Sequence, residues 1–253
     1  MSIHFKIITP AYEAEDFIEN ALISVLNQDY DNFEHIITDD GSKDGTVNKI
    51  KEFIEKNDCG EHLKLIENDE NVGAMCNLYN MIQEMNAEDE DVIITLDGDD
   101  WLNGENVLTR LNEIYEEEDC WLTYGSYIEY PSGRNSSFHV SEYSADIIES
   151  GDFKKDPQWR ASHLRSFKYH LAERLTKEDL TEEDGMFYQM AYDFALMFPM
   201  MEMARERIKF VSDLLYVYND ANPINEHKVD RQRQIDTGDR IKARHMKKDR
   251  VLL

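Results

Sequence analysis

In the first half of the chain, short apolar runs alternate with segments whose apolar residues recur every three or four positions. The runs at 5–9, 33–39, 63–67 and 92–96 read as strands, bounded by turn residues. Between them, 14–27, 46–56 and 74–85 carry the helical spacing. The order β-α-β-α-β-α-β predicts βαβ units around a mostly parallel sheet, hence the α/β class. Beyond about residue 130 the alternation gives way to helical patterns at 158–175 and 185–207 and a β-like run at 209–218. We read one domain in two halves, with 1–130 carrying the parallel sheet and 131–253 elaborating the same sheet and closing the pocket. No repeat of 20 to 50 residues is visible, which excludes solenoids and propellers.

Open α/β sheets bind ligands beyond the carboxyl ends of their strands. Here those ends are Thr9-Pro10-Ala11-Tyr12, Asp39-Asp40-Gly41-Ser42, Asn68-Asp69-Glu70-Asn71-Val72-Gly73 and Asp97-Gly98-Asp99-Asp100. The fourth carries the sharpest signal, because three carboxylates in four residues resist ionisation unless a cation offsets them. Hard oxygen ligands of this kind suit Mg²⁺ or Mn²⁺ bridging to a diphosphate. A solvated acidic turn with Asp100 as a helix cap is the plainer alternative. Asp39 and Asp40 offer acceptors for a base N–H or ribose hydroxyls, and Pro10 with Tyr12 offers a stacking wall. A simple turn and a packed aromatic explain the same residues.

Taken in order, these motifs resemble glycosyltransferase family 2 on a GT-A fold. The N-terminal signature is matched by Thr9-Pro10-Ala11-Tyr12, Ser24-Val25-Leu26-Asn27-Gln28 and Asp39-Asp40-Gly41-Ser42-Lys43-Asp44-Gly45-Thr46. Asn71-Val72-Gly73 and Asp97-Gly98-Asp99-Asp100 follow at the expected places. The resemblance implies a Rossmann-like nucleotide-diphospho-sugar transferase: a metal-dependent, inverting enzyme passing sugar from a UDP-sugar to a glycan or other hydroxyl acceptor. It assigns Pro10, Tyr12 and Asp40 to the uracil pocket, with Thr9 and Asp39 beside them. Asn71, Asp97, Gly98 and Asp99 complete the donor contacts. Asp99 and Asp100 compete for the role of main metal ligand, and His227 could be the late histidine that some GT-A enzymes add.

In the second half, Ala191-Tyr192-Asp193-Phe194-Ala195-Leu196 resembles the family's helix opened by a catalytic base, which nominates Asp193, with Glu183 and Asp184 as substitutes. His163, with Arg165 and Trp159 nearby, is a candidate for meeting acceptor or phosphate. Many members carry Ala-Arg-Asn where this chain has Met75-Cys76-Asn77, so an arginine able to meet the donor is absent there.

Charge narrows the partners. With 53 acidic against 27 basic residues, the chain would repel a nucleic-acid backbone. A divalent cation and local N–H groups can still reverse the field inside one pocket. Cys59, Cys76 and Cys120 form no CxxC pair, and the chain opens on an apolar strand without a signal-peptide pattern, so we expect a cytoplasmic protein. For that reason the acceptor pattern Asn135-Ser136-Ser137 carries no weight. The apolar run 194–201 is too short to span a bilayer, and the locally basic tail 240–250 allows at most a peripheral membrane or partner contact.

Two rivals remain. A haloacid-dehalogenase-type phosphatase also places Asp-x-Asp after a strand, but its motif lies near the N-terminus. A degenerate member that binds nucleotide-sugar without turnover would fit the missing arginine. A dinucleotide-binding oxidoreductase is disfavoured because no GxGxxG follows the first strand.

Overall fold

The computed structural model describes residues 2–117, 119–136 and 140–244. Its first half follows the predicted alternation: β1 (Phe5–Ala11), α1 (Ile18–Leu26), β2 (Phe33–Asp39), α2 (Thr46–Asn57), β3 (Leu63–Glu67), α3 (Ala74–Glu84) and β4 (Val92–Thr95). Then come β5 (Trp101–Leu102), α4 (Val107–Glu117), β6 (Leu122–Tyr130), α5 (Ala145–Ser150), β7 (Arg165–Lys168) and α6 (Tyr169–Ala172). The last elements are α7 (Tyr192–Ala204), β8 (Ile208–Asn219), α8 (Glu226–Val229) and α9 (Arg231–Ala243).

One eight-stranded sheet runs β3-β2-β1-β4-β7-β6-β8-β5. The first four strands are parallel, β7 is antiparallel to both β4 and β6, and β8 runs parallel to β6 and antiparallel to β5. Because successive strand residues face opposite sides, Ile7, Ile37 and Ile94 enter one apolar layer, and Ile8, Ile36 and Ile93 enter the other. Both faces of β1 are therefore covered, which is why all seven of its residues are buried. On α1, Ile18, Ala21, Leu22 and Val25 form the buried stripe. Helix α7 has no polar face to spare: every residue from Ala195 to Ala204 is buried.

Several expected boundaries shift, and of the pattern at 185–207 helix α7 takes only Tyr192–Ala204. Helix α1 starts at Ile18 rather than residue 14, because Glu13 has φ +49° and the Ala14 N–H is held by the Thr46 hydroxyl at 2.9 Å. The pattern at 158–175 folds differently from the helix expected: it contains strand β7 and only one helical turn, α6. Leu164, Phe167, Leu171 and Leu175 do recur at helical spacing, but Arg165–Lys168 are claimed by pairing with β4 and β6 and are buried throughout. No helix among the described residues is long and apolar enough to cross a membrane. Ser137 and 245–250, the greater part of the basic tail, lie outside the described residues.

Candidate active site

The carboxyl ends of β1, β2 and β4 open onto a cavity of about 370 Å³, closed on its far side by residues of β7, α7 and the loop after β8. Pro10, Tyr12, Asp40, Asn71 and the Asp97–Asp100 loop all line it. Thr9 does not: it is fully buried, and its hydroxyl meets His35 Nε2 at 2.9 Å. Asp39 is buried beneath the rim, where its Oδ2 accepts the Ser42 N–H at 3.0 Å and shapes the turn.

Asp40 is more committed to the fold than its sequence suggests. Its Oδ1 accepts from Asn68 Nδ2 at 3.0 Å and from the Val72 N–H at 2.9 Å, while Oδ2 accepts the Gly73 N–H at 2.9 Å. Three of roughly four lone-pair positions are thus filled by the protein. Asp40 ties the end of β2 to the Asn71-Val72-Gly73 loop and leaves little capacity for a nucleobase.

The acidic loop is fastened from above and below. The Gly98 N–H reaches the Pro10 carbonyl at 3.2 Å. A Cβ at Gly98 would lie 2.8 Å from the Ala11 Cβ, so only glycine lets the loop sit this close to β1. Asp100 is buried and bonded twice, to the Tyr216 hydroxyl and the Asn219 N–H, each at 2.7 Å. Asn222 Nδ2 donates to Asp99 Oδ2 at 2.7 Å, and the Tyr192 hydroxyl donates to Asp97 Oδ1 at 3.1 Å. Asp100 is therefore a buried, doubly held carboxylate and caps no helix.

Burial pushes all three carboxyls up, and repulsion from neighbouring carboxylates adds to it at Asp99 and Asp100. Asp99 rises to about 6, through burial and then the charge of Asp97. Asp100 rises well above the ordinary carboxylate range through burial and both neighbours. Asp97 rises through burial, opposed by the Arg165 guanidinium and the Tyr192 hydroxyl. Such a set fits a divalent cation, whose charge would offset the repulsion that raises these values. Asp97, Asp100 and His163 each place a donor atom within 4.8 Å of the others. His163 Nε2, however, lies 3.0 Å from Arg165 Nη2, an N–H donor, so that lone pair is engaged and the carboxylates are the better ligands.

His227 is not brought into this acidic group. It lines the cavity, but its Nε2 pairs with Asp220 Oδ1 at 3.1 Å. The histidine placed beside the aspartates is His163, stacked on Tyr216 at 4.4 Å between ring centroids and held neutral by burial and the Arg165 charge.

Asp193, at the start of α7, lines the cavity, whereas Glu183 and Asp184 lie exposed outside it. Arg165 Nη2 stands 3.7 Å from Asp193 Oδ2. Burial raises the Asp193 carboxyl, and Arg165 restrains the rise. The turn into α7 is set by Ala191, at φ +50°, whose N–H is held by Glu226 Oε2 at 2.9 Å. Sequence reasoning named Arg165 only as a neighbour of His163 and missed Tyr192, Tyr216, Asn222 and Glu226. For Arg165 there was a signal: a lone guanidinium between apolar positions 164 and 167 in a strongly acidic chain. It supplies the cavity cation that Cys76 does not.

The sequence profile of glycosyl transferase family 2 matches residues 6–184, more than half of the chain. The chain belongs to that family. Family membership sets the haloacid-dehalogenase-type phosphatase aside. Glycosyltransferase GlyA of Streptococcus pneumoniae is 27% identical over 227 residues, which is 84% of this chain and 30% of GlyA. An uncharacterized glycosyltransferase of Haemophilus influenzae is 31% identical over 122 residues, 48% of this chain and 46% of that protein. The chain thus spans less than half the length of these curated relatives. Among solved structures, S. aureus TarS 1-349 in complex with UDP-GlcNAc superposes with a TM-score of 0.66 at 18% identity, over 90% of this chain and 61% of that one. The mannosyltransferase PcManGT of Pyrobaculum calidifontis, solved with GDP-Man and Mn²⁺, superposes with a TM-score of 0.60 at 18% identity, over 86% and 57%. The fold is GT-A.

Proposed function

We propose that this family 2 enzyme is metal-dependent and inverting, and moves the sugar of a UDP-sugar onto a hydroxyl of a glycan. The observation that carries the reading is the facing of two carboxylate groups across one cavity: Asp97, Asp99 and Asp100 on the strand-end side, and Asp193 beside Arg165 on the other. The donor would rest against Pro10, Tyr12 and Asn71 in the half formed by 1–130, and the acceptor would approach through 131–253. TarS, solved with UDP-GlcNAc, supports the donor class, and PcManGT, solved with Mn²⁺, supports the cation. The three cysteines are free thiols, which supports a cytoplasmic location.

Asp193 takes the proton of the acceptor hydroxyl as that oxygen bonds to the anomeric carbon. The bond from the anomeric carbon to the diphosphate oxygen breaks in the same displacement, its electron pair leaves with the diphosphate, and the configuration inverts. Arg165 favours the ionised form of Asp193 against its burial, and Tyr192 orients Asp97. A Mn²⁺ or Mg²⁺ ion held by the Asp97–Asp100 carboxylates would supply charge stabilisation for the leaving diphosphate. The test is a thermal-shift screen of UDP-, GDP- and dTDP-sugars with and without Mn²⁺, followed by NMR of the product's anomeric centre. Stabilisation by a UDP-sugar only with metal, and a product of opposite configuration, is expected. Metal-independent turnover or retained configuration overturns the mechanism.

A further inference from the structure

Behind Asp193 lies a second cavity of about 390 Å³. Five residues, His163, Arg165, Asp193, Tyr218 and His227, line both this space and the first, so the two meet at one shared wall. Asp193 therefore has access to both sides, which is where a group that takes a proton from one substrate during attack on another must stand.

The remaining lining has two kinds of surface. One is aromatic: Tyr127 and Tyr218 stand 5.5 Å apart with their rings inclined by 59°, and Trp159, stacked on Phe194 at 4.2 Å, joins them. Ring faces are electron-rich and attract the weakly positive C–H hydrogens that line one face of a pyranose. The other is polar: Glu129, Ser162 and Asp220 present oxygens that accept from, and in Ser162 also donate to, hydroxyl groups.

Charge selects among sugars. Three carboxylates, Glu129, Asp193 and Asp220, face this space against two guanidiniums, Arg134 and Arg165. Both guanidiniums are committed: Arg134 Nη2 lies 2.7 Å from Glu129 Oε2, and Arg165 faces Asp193. Asp220 in turn holds His227 at 3.1 Å and Lys228 at 3.4 Å. A phosphate or uronate entering here would have to displace a carboxylate from its partner and leave that charge uncompensated.

We propose that the second cavity receives an uncharged pyranose, the terminal unit of a carbohydrate acceptor, seated between Tyr127, Tyr218 and Trp159 with one hydroxyl directed through the shared wall to Asp193. The assignment rests on the glycosyl-transfer reading above and narrows its glycan acceptor to one that ends in an uncharged sugar. An acceptor of this kind reaches the enzyme from a reaction that leaves an unmodified neutral sugar at a chain end.

The 253-residue chain with Mn²⁺ and UDP is examined by saturation-transfer NMR against methyl glycosides of glucose, galactose and N-acetylglucosamine, with methyl glucuronide and glucose 6-phosphate as charged counterparts. At least one neutral glycoside is expected to bind, and more tightly than both charged sugars. Tyr127→Leu and Trp159→Leu, which keep apolar volume, should each weaken it by roughly tenfold, the loss of one ring contact. UDP affinity in both variants should stay near that of the unaltered protein. Should Trp159→Leu fail to fold because Phe194 loses its stacking partner, Tyr127→Leu carries the same reading, and Glu129→Gln, which frees the Arg134 guanidinium, should narrow the gap between neutral and charged sugars. Equal or tighter binding of the charged sugars overturns the assignment, as does an absence of glycoside binding while UDP still binds. Binding of neutral glycosides with no binding of UDP supports the second cavity and sinks the UDP-donor reading instead.

Discussion

The two walls of the active-site cavity are built by different means. On the side formed by 1–130, backbone groups do most of the holding: Val72 and Gly73 fix Asp40, the Pro10 carbonyl fixes Gly98, and the Asp97 carbonyl takes the Asp100 N–H at 3.0 Å. On the side formed by 131–253, side chains hold side chains: Arg165 faces Asp193, Tyr192 reaches Asp97, Tyr216 reaches Asp100 and Asn222 reaches Asp99. The first wall inherits its geometry from a parallel sheet, and the second assembles the reacting groups from separate segments. Substitutions at Asp193 and Arg165 should therefore alter chemistry with little effect on nucleotide binding, whereas those that loosen the acidic loop should act through the cation.

The sharpest attempt to break that division is Asp193→Asn, an isosteric change that removes the proposed base. Transfer should fall by roughly 10²- to 10⁴-fold, while UDP affinity measured calorimetrically with Mn²⁺ stays within a few-fold. Unchanged turnover would remove Asp193 from the mechanism. Next in size, Asn222→Ala deletes the amide donor on Asp99 and should weaken Mn²⁺ binding by about 10- to 100-fold in a titration followed by tryptophan fluorescence. An unaltered affinity would show that the second wall does not orient the acidic loop.

Acidity tests both walls together. Folding raises Asp99 to about 6 and Glu226 to about 7, the latter through burial against the restraint of the Ala191 N–H. A carboxyl whose value rises on folding holds its proton more tightly in the native state. Its contribution is fully present below the unfolded value and is lost as pH climbs through the folded one. The chelator-treated protein should therefore lose several degrees of Tm between about pH 5 and 7.5, with Mn²⁺ recovering part of the loss at the upper end. Asp99→Asn should flatten the profile, and an unaltered slope in that variant would assign the effect elsewhere. The smallest effect is expected from His227→Ala: its ring is held by Asp220 outside the acidic group, so Mn²⁺ affinity should change by less than about twofold. A tenfold loss would restore His227 as a ligand.

The same division explains what could be read from sequence. The run 33–39 is β2 to the residue, and 63–67 is β3: β2 shows its burial locally, and both runs are rich in strand-forming residues and punctuated by turn residues. Strand β7 was hidden because four residues are too few for periodicity to separate strand from helix, and its identity comes from β4 and β6, which lie far from it in sequence. Strand β6 was not anticipated either, its pairing with β8 being interrupted by register shifts around Ser126. At the site, the acidic loop announced itself by composition. The residues that hold it, Tyr216 and Asn222, look like ordinary strand and loop residues until the chain brings them back over a separation of more than a hundred positions.

Position 98 shows how such architecture constrains change. Glycine there brings no functional group, yet any other residue would drive its first side-chain carbon into Ala11 and prise the acidic loop off β1, an overpacking cost of about 1–3 kcal/mol. A scan of all substitutions would therefore score Gly98 alongside its reactive neighbours. The freedom of this loop to vary is limited as much by empty space it must not fill as by the carboxylates it must keep.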